Sequence, residues 1–407
     1  MTAAAQRLHE EAARCIKCGF CEAVCPTLPS AGYQASKGAR GRVLLADEML
    51  ERIGRGESLS GLGDSFYSCL DCYACYEVCP AGVNAGKVSH YAKEIIAESD
   101  QGVPDMARLM EKNIMRFGSL LPLGKRAASW SRGLELPATG DTLLYTGQMY
   151  QLMSFSSALT GFLRRRGELG KRLIVGSSLK FPWLMKLAVL LNDRQMFDEM
   201  NNSLRNIAYL LKLAGIRFCY MGADEPYPGT LMFDLGFEAS SRAYATAVTD
   251  EFRRRAVRRI ITVDPHTHDI LANTYPSLVP GFDFEVVHYT ELLGSLKFSK
   301  TGRQVTYHEP CHLSRRFDSL SAPSDLLGRA ADISLPDRHG RRTHCCGGPD
   351  ELLFPEISSG VTATRTAQLA EAGNSMTVTA CPVCLLNLRH GGEVADMSQL
   401  LVESAAR

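Results

Sequence analysis

Eight of the fourteen cysteines in this 407-residue chain fall in two quartets near its start. The first reads Cys15-Ile-Lys-Cys18-Gly-Phe-Cys21-Glu-Ala-Val-Cys25-Pro26, and the second Cys69-Leu-Asp-Cys72-Tyr-Ala-Cys75-Tyr-Glu-Val-Cys79-Pro80. Each is C-x2-C-x2-C-x3-C-P, the run that holds a [4Fe–4S] cubane. Three thiolates spaced along one tight loop grip three irons of one cube. The fourth cysteine, a helical turn further on, points to the partner cluster. The spacing therefore predicts Cys15, Cys18, Cys21 and Cys79 on one cluster, and Cys69, Cys72, Cys75 and Cys25 on the other. A zinc ribbon takes two C-x2-C pairs without the third step or the trailing Cys-Pro. A disulfide scaffold belongs to small secreted chains.

Composition narrows the setting. A net charge of +1 argues against a general nucleic-acid binder. Fourteen cysteines, behind an N-terminus with acidic residues and no apolar leader core, point to a reducing, cytoplasmic compartment. No run of eighteen apolar residues is present, so no membrane span is expected. The most apolar stretch, 181–191, is interrupted by Pro182 and Lys186 and reads as buried core. Contact with a membrane surface is the lesser alternative, which leaves a peripheral position on the cytoplasmic membrane face open.

The fold class expected is α+β and multidomain. Residues 1–115 read as a helical two-cluster domain, with helices opening at Arg40-Gly41-Arg42 and over 87–98. Residues 116–139, rich in Gly, Pro, Ser and basic residues, read as a linker. Beyond residue 140, β-branched runs alternate with helical stretches. Strands are expected at 142–146, 172–175, 217–221, 259–263, 284–289, 304–308 and 376–379. Such alternation implies α/β layers with parallel strands.

The last 110 residues carry a second cysteine series: Cys311, then Cys345-Cys346-Gly347, then Cys381-Pro382-Val383-Cys384, with 33 and 34 residues between. Residues 140–296 echo this without thiols. Tyr145-Thr146-Gly147-Gln148, Glu225-Pro226-Tyr227-Pro228-Gly229 and Asp264-Pro265-His266-Thr267 stand at the matching places, with some forty extra residues between the first two. Two α/β repeats are therefore expected, 140–296 and 297–407. Five cysteines on three strand-end loops exceed what one zinc can use, and an adjacent cysteine pair before two glycines suits a multi-iron site. An iron–sulfur cluster is the leading reading, ahead of zinc or a redox-active disulfide pair.

The residues His344-Cys345-Cys346-Gly347-Gly348-Pro349 and Thr379-Ala380-Cys381-Pro382-Val383-Cys384 resemble the cysteine-rich CCG domain. That domain occurs, often duplicated, in heterodisulfide reductases, in glycolate and lactate oxidase iron–sulfur subunits, and in anaerobic glycerol-3-phosphate dehydrogenase. With its two ferredoxin-type quartets, the chain is similar over nearly its full length to the glycolate oxidase iron–sulfur subunit and to the D-type heterodisulfide reductase subunit. The resemblance implies a third cluster, of the noncubane [4Fe–4S] kind, on Cys311, Cys345, Cys346, Cys381 and Cys384. Cys345 and Cys346 become the candidates for any chemistry at that cluster. Gln148, Tyr227, Pro228, Asp264 and Thr267 stand where a first repeat would carry thiolates. None replaces a soft ligand well, so one such cluster is expected.

Smaller features have plainer readings. Cys219, in an apolar run, reads as a buried small hydrophobe. His266-Thr267-His268-Asp269 reads as a remnant loop rather than a metal site. His308, His312 and His344 flank the thiols and serve either as structural hydrogen-bonders or as tuners of a cluster. Arg164-Arg165-Arg166 and Arg253-Arg254-Arg255 read as solvated faces. No dinucleotide or phosphate loop and no hydrolase elbow is present in context. The expectation is an electron-transfer subunit beside an FAD-linked dehydrogenase of a 2-hydroxy acid, delivering electrons to a quinone-reactive membrane partner or a thiol–disulfide acceptor. The alternative is a heterodisulfide-reductase-like catalytic subunit.

Overall fold

A computed structural model describes residues 2–317 and 321–405. The first hundred residues are helical. In α1 (Ala3–Ala12) the Thr2 hydroxyl accepts from the Ala5 amide and starts the helix. An amphipathic α2 (Ala39–Arg55) ends where Gly56 turns left-handed. Asn84 caps α3 (Ala85–Ser99), its Oδ1 accepting from the Gly86 and Lys87 amides at 2.9 and 3.2 Å. α4 (Asp105–Phe117) follows. Leu8, Ala46, Met49, Val88, Ala92 and Ile96 interlock as the core of this layer, and both helices expected from periodicity lie inside α2 and α3.

The segment 116–139 is not a free tether. It crosses in short turns and buries Trp130 completely against Tyr220, ring centroids 4.7 Å apart.

Beyond it stand two parallel sheets. The first runs β1 (Thr142–Tyr145), β2 (Arg259–Thr262), β3 (Glu285–His288), side by side in that order. The second contains β4 (Gln304–His308), β5 (Asp332–Ser334), β6 (Met376–Thr379) and β7 (Glu393–Asp396), in the order β5-β4-β6-β7. Parallel pairing requires crossover connections. These are supplied by α5 (Met149–Lys180), α6 (Arg194–Leu213) and α7 (Glu238–Arg254) in the first layer. The second layer has α8 (Cys311–Arg316), α9 (Pro355–Ala370) and α10 (Pro382–Leu388). Cys219 makes one parallel bridge to Leu143 on the free side of β1. Counting that bridge as a strand, both sheets run second-first-third-fourth in chain order.

Several strand expectations are corrected. Residues 172–175 lie inside α5, where only Val175 is buried and no sheet edge is offered. Residues 217–221 reduce to the Cys219 bridge. The short strands β5 and β7 carry acidic residues at their ends and offer no alternating run to read. α5 is interrupted at Gly167, whose φ of 64° and ψ of 178° suit glycine alone. The apolar stretch 181–191 is the clearest correction. Met185 and Val189 are buried, but Phe181, Trp183, Leu187 and Leu190 are more than half exposed. The chain spends its periodicity there on a narrow stripe. Among the described residues no helix is long and apolar enough to cross a membrane.

The layers are joined by a buried charge. Lys93 on α3 donates to Asp71 Oδ2 at 2.7 Å and to the Asp234 carbonyl at 3.0 Å. Burial opposes its charge, yet Asp71 and Cys69 hold it protonated. Removing one member of a buried pair strands the other. We expect Lys93→Met to cost about 3–5 kcal/mol, read as a lower melting temperature of the iron-loaded protein. The double variant Lys93→Met/Asp71→Asn should recover most of it.

Candidate metal centres

The first quartet lies on a loop folded by left-handed Lys17 and Gly19. Cys15, Cys18, Cys21 and Cys79 line one small cavity. Cys79 Sγ accepts from the Val83 amide at 3.2 Å. Cys18 is exposed, and the neighbouring Ile16 and Phe20 are 65 % and 59 % exposed, so this cavity sits at the surface. A second cavity is lined by Cys25, Cys69, Cys72 and Cys75. The fourth cysteine of each quartet thus crosses to the other's cavity. Among the described residues no three His, Cys, Asp or Glu are placed to hold a single metal ion; the thiols ring voids instead.

The second cavity has a buried cation in its wall. Arg42 is 2 % exposed. It donates to Ser65 O at 2.7 Å, Ser68 O at 2.9 Å and Thr27 Oγ1 at 3.1 Å, with Nη1 3.9 Å from Cys25 Sγ. Burial disfavours this charge, but the neighbouring Cys69 and Cys25 keep it on. Four thiolates around a cube are anionic, so a fixed cation here offsets charge that water cannot reach. Sequence reading places Arg42 only at the start of a helix; burial shows what it does.

The C-terminal cysteines are all buried. Cys311 opens α8 directly after β4, and Cys381 caps α10 directly after β6. Cys345 and Cys346 precede Gly347, at φ 88°, and Gly348. An added Cβ would lie 2.7 Å from Ser358 O at Gly347 and 2.3 Å from Val383 Cγ1 at Gly348. Only glycines let this loop settle against α9 and α10. Asn387 Nδ2 and Thr362 Oγ1 both donate to Cys346 O, at 2.8 and 2.9 Å. The thiols interact electrostatically as a series of neighbours, Cys311 with Cys345, Cys345 with Cys346, Cys346 with Cys384 and Cys384 with Cys381. All five sequence-selected cysteines therefore meet.

A sixth thiol joins them. Cys72, from the second quartet, packs in one buried cluster with Cys311 and Cys345, and its thiol interacts with that of Cys345. That interaction, helped by the Arg315 charge, draws the Cys72 thiol down to about 6. Arg315 Nη1 donates to Cys72 O at 2.6 Å, and its other nitrogens hold Arg341 O and Thr343 O. The second quartet and the C-terminal set share a wall, which no spacing in the sequence reveals.

The flanking histidines bond to groups other than sulfur. His308 Nδ1 accepts from buried Arg365 at 3.0 Å, and His344 Nδ1 meets Cys345 O at 3.0 Å. His312 pairs with Asp269 at 2.7 Å. Burial works against its charge, but Asp269 and Cys311 outweigh burial and raise it to about 9. His266 packs against His312 with the rings tilted by 42°, centroids 4.3 Å apart. The loop read as a remnant is therefore packed against α8. Cys219 is a core residue. Arg253 and Arg255 pair with Asp250 and Glu251, while Arg164 reaches Ser359 Oγ.

The thiol-free loops of the first sheet also converge. Thr146 donates from its amide and hydroxyl to Glu225, at 2.6 and 2.5 Å. Gly147 lies against Thr267 and Pro228. Burial outweighs the Thr146 bonds and pushes the Glu225 carboxyl up to about 8.

Residues 11–83 match the 4Fe-4S dicluster domain family, and residues 305–389 match the family of the cysteine-rich CCG domain. The chain carries both domains. It is accordingly an iron–sulfur protein, with [4Fe–4S] clusters and a further iron–sulfur site. One relative is the probable iron-sulfur-binding oxidoreductase FadF of Bacillus subtilis, 31 % identical over 47 % of this chain and 28 % of that protein. The chain spans about half the length of two other relatives, 55 % and 44 %. The probable glycolate oxidase iron-sulfur subunit of Bacillus subtilis is 24 % identical over 97 % of this chain and 92 % of its own length. The D-type subunit of the dihydromethanophenazine:CoB--CoM heterodisulfide reductase of Methanosarcina barkeri is 21 % identical over 96 % and 91 %. The resemblance seen in the motifs thus holds.

Two outcomes follow from this geometry. Gly348→Ala should lose the iron beyond the two cubanes and keep the rest, measured by iron analysis with electron paramagnetic resonance. The Glu225 carboxyl is raised in the fold, so it is protonated there while ionised in the unfolded chain between about 4.5 and about 8. Stability contributed by its neutral form is full below that window and lost as pH rises through it. Glu225→Gln should flatten that slope in denaturation followed across the window.

Proposed function

We propose that the chain is the electron-transfer subunit of a flavoprotein oxidoreductase complex. Cys15, Cys18, Cys21 and Cys79 hold one cubane; Cys25, Cys69, Cys72 and Cys75 hold the other; Cys311, Cys345, Cys346, Cys381 and Cys384 hold the third site. When bound, such centres pass electrons singly. The carrying observation is the position of Cys72, a member of the second quartet that packs in one buried cluster with Cys311 and Cys345. It supports a line from the surface-exposed first quartet inward to the C-terminal set. Exposed Ile16 and Phe20 offer an apolar contact to the donor. We take the donor to be an FAD-linked dehydrogenase of a 2-hydroxy acid, on the strength of the glycolate oxidase relative. The acceptor is a quinone or a thiol–disulfide couple.

In this reading residues 1–115 are the dicluster domain, 116–139 the crossing segment, 140–296 a repeat without the ligand cysteines and 297–407 the complete one. The shared strand order and the two sets of three converging loops support duplication. A second reading, reduction of a disulfide at Cys345 and Cys346, is favoured by the five convergent thiols and by the heterodisulfide reductase relative.

Rapid mixing with a reduced FAD-linked dehydrogenase should bleach the cubane absorbance within turnover time, and Arg42→Leu should lower the potential of the second cubane. Failure of any reduced flavoprotein to bleach it would count against the first reading. A thiol-dependent resonance of the oxidised protein that vanishes in Cys345→Ser would favour the second.

A further inference from the structure

Helix α5 breaks at Gly167, and what its residues face changes there. Before the break Tyr150, Leu152, Phe155 and Leu163 are buried in the core. Beyond it only Val175 and Ser178 are buried. Leu169 and Leu173, one helical turn apart, are 79 % and 72 % exposed. Trp183, Leu187 and Leu190 then follow at the spacing of one helical face and are 60 %, 51 % and 70 % exposed. Met185 and Val189 stand between them and are buried. The segment thus has an inner and an outer side, and both are apolar.

The same stretch is strongly basic. Residues 161–191 hold seven lysines and arginines and one carboxylate, Glu168, in a chain whose total charge is +1. Arg165, Arg166, Arg172, Lys180 and Lys186 are exposed and make no ion pair among the described residues. A groove of about 590 Å³ between α4 and the end of α5 continues this surface, with Lys112, Met115 and Arg116 on one side and Leu179 and Pro182 on the other.

Large apolar side chains gathered in water mark a contact surface, and here the charge says what the contact is. The core of a protein interface is depleted of lysine, with charges kept to its rim. In this stretch cations alternate with the exposed leucines instead. A helix lying in the plane of a bilayer has that composition. Its apolar chains enter the headgroup boundary, while lysine and arginine bend their stems back towards water and meet lipid phosphates. Tryptophan favours the same depth. As a helix, 168–180 spans about 20 Å, short of the ~30 Å of a bilayer core, so lying flat is the geometry open to it. We propose that residues 164–190 dock the protein on the surface of a bilayer that carries anionic phospholipid. Leu169, Leu173, Trp183, Leu187 and Leu190 sit in the headgroup boundary, and Arg165, Arg172, Lys180 and Lys186 meet the phosphates. The proposal goes beyond the electron-transfer reading and does not depend on it.

The test sediments the iron-loaded chain with vesicles of phosphatidylcholine alone and of phosphatidylcholine mixed with phosphatidylglycerol. The chain should travel with the mixed vesicles and stay in solution with the others. Trp130 is buried and Trp183 is the only other tryptophan, so a blue shift of emission on adding mixed vesicles reports Trp183 leaving water. Leu187→Ser/Leu190→Ser changes side chains that already face solvent. It should weaken vesicle binding roughly tenfold or more, with iron content and melting temperature unchanged. Arg165→Gln/Arg172→Gln/Lys180→Gln should remove the preference for phosphatidylglycerol. Failure to bind the mixed vesicles would overturn the proposal. So would binding that salt abolishes and the leucine variant leaves intact, which is adsorption by charge alone. Self-association of the free chain that the leucine variant abolishes, without vesicle binding, would assign the face to a second copy instead.

Discussion

Thiolates gathered inside a protein are anions away from water, and their charge has to be met by cations that are also buried. Arg42, Lys93, Arg315 and Arg365 do this here, each at most 6 % exposed. None of them acts within one element only. Arg42 ties α2 to the loops of both quartets, and Lys93 ties α3 to the segment after the first sheet's opening strand. Arg315 joins α8 to Cys72 of the helical layer, and Arg365 holds His308 and Thr343. The same groups that offset cluster charge fasten the layers together.

That arrangement explains why the crossing segment 116–139 is packed and not loose. The segment's own Trp130 is buried against Tyr220. An apolar cavity lies between the layers, with Cys69 from one and Gly348 and Pro349 from the other at its wall. The first sheet contributes the cavity's far side through Tyr227, Thr230 and His266, so the lack of ligand thiols on its loops does not leave it without a place in the site.

Cys25 and Cys79 each line the cavity of the other quartet, the arrangement a C-x2-C-x2-C-x3-C-P run favours because it has few ways to close. The five C-terminal cysteines were legible in the sequence, since strand-end loops of adjacent parallel strands must emerge at one edge of the sheet. Residues 172–175 misled because a short β-branched run is ambiguous between strand and helix, and 181–191 misled because apolar composition does not say which side faces solvent.

What the sequence determined by itself was the chemistry: how many thiols, in which groups, on which kind of loop. Tertiary structure alone decided proximity. Cys72 beside Cys345 lies across 273 positions of chain, and Arg42, Lys93 and Asp350 are ordinary surface-type residues until they are buried. Local spacing fixes which atoms can share a ligand. Contact between distant segments, and the burial that gives a charge its weight, arises only when the layers close on one another.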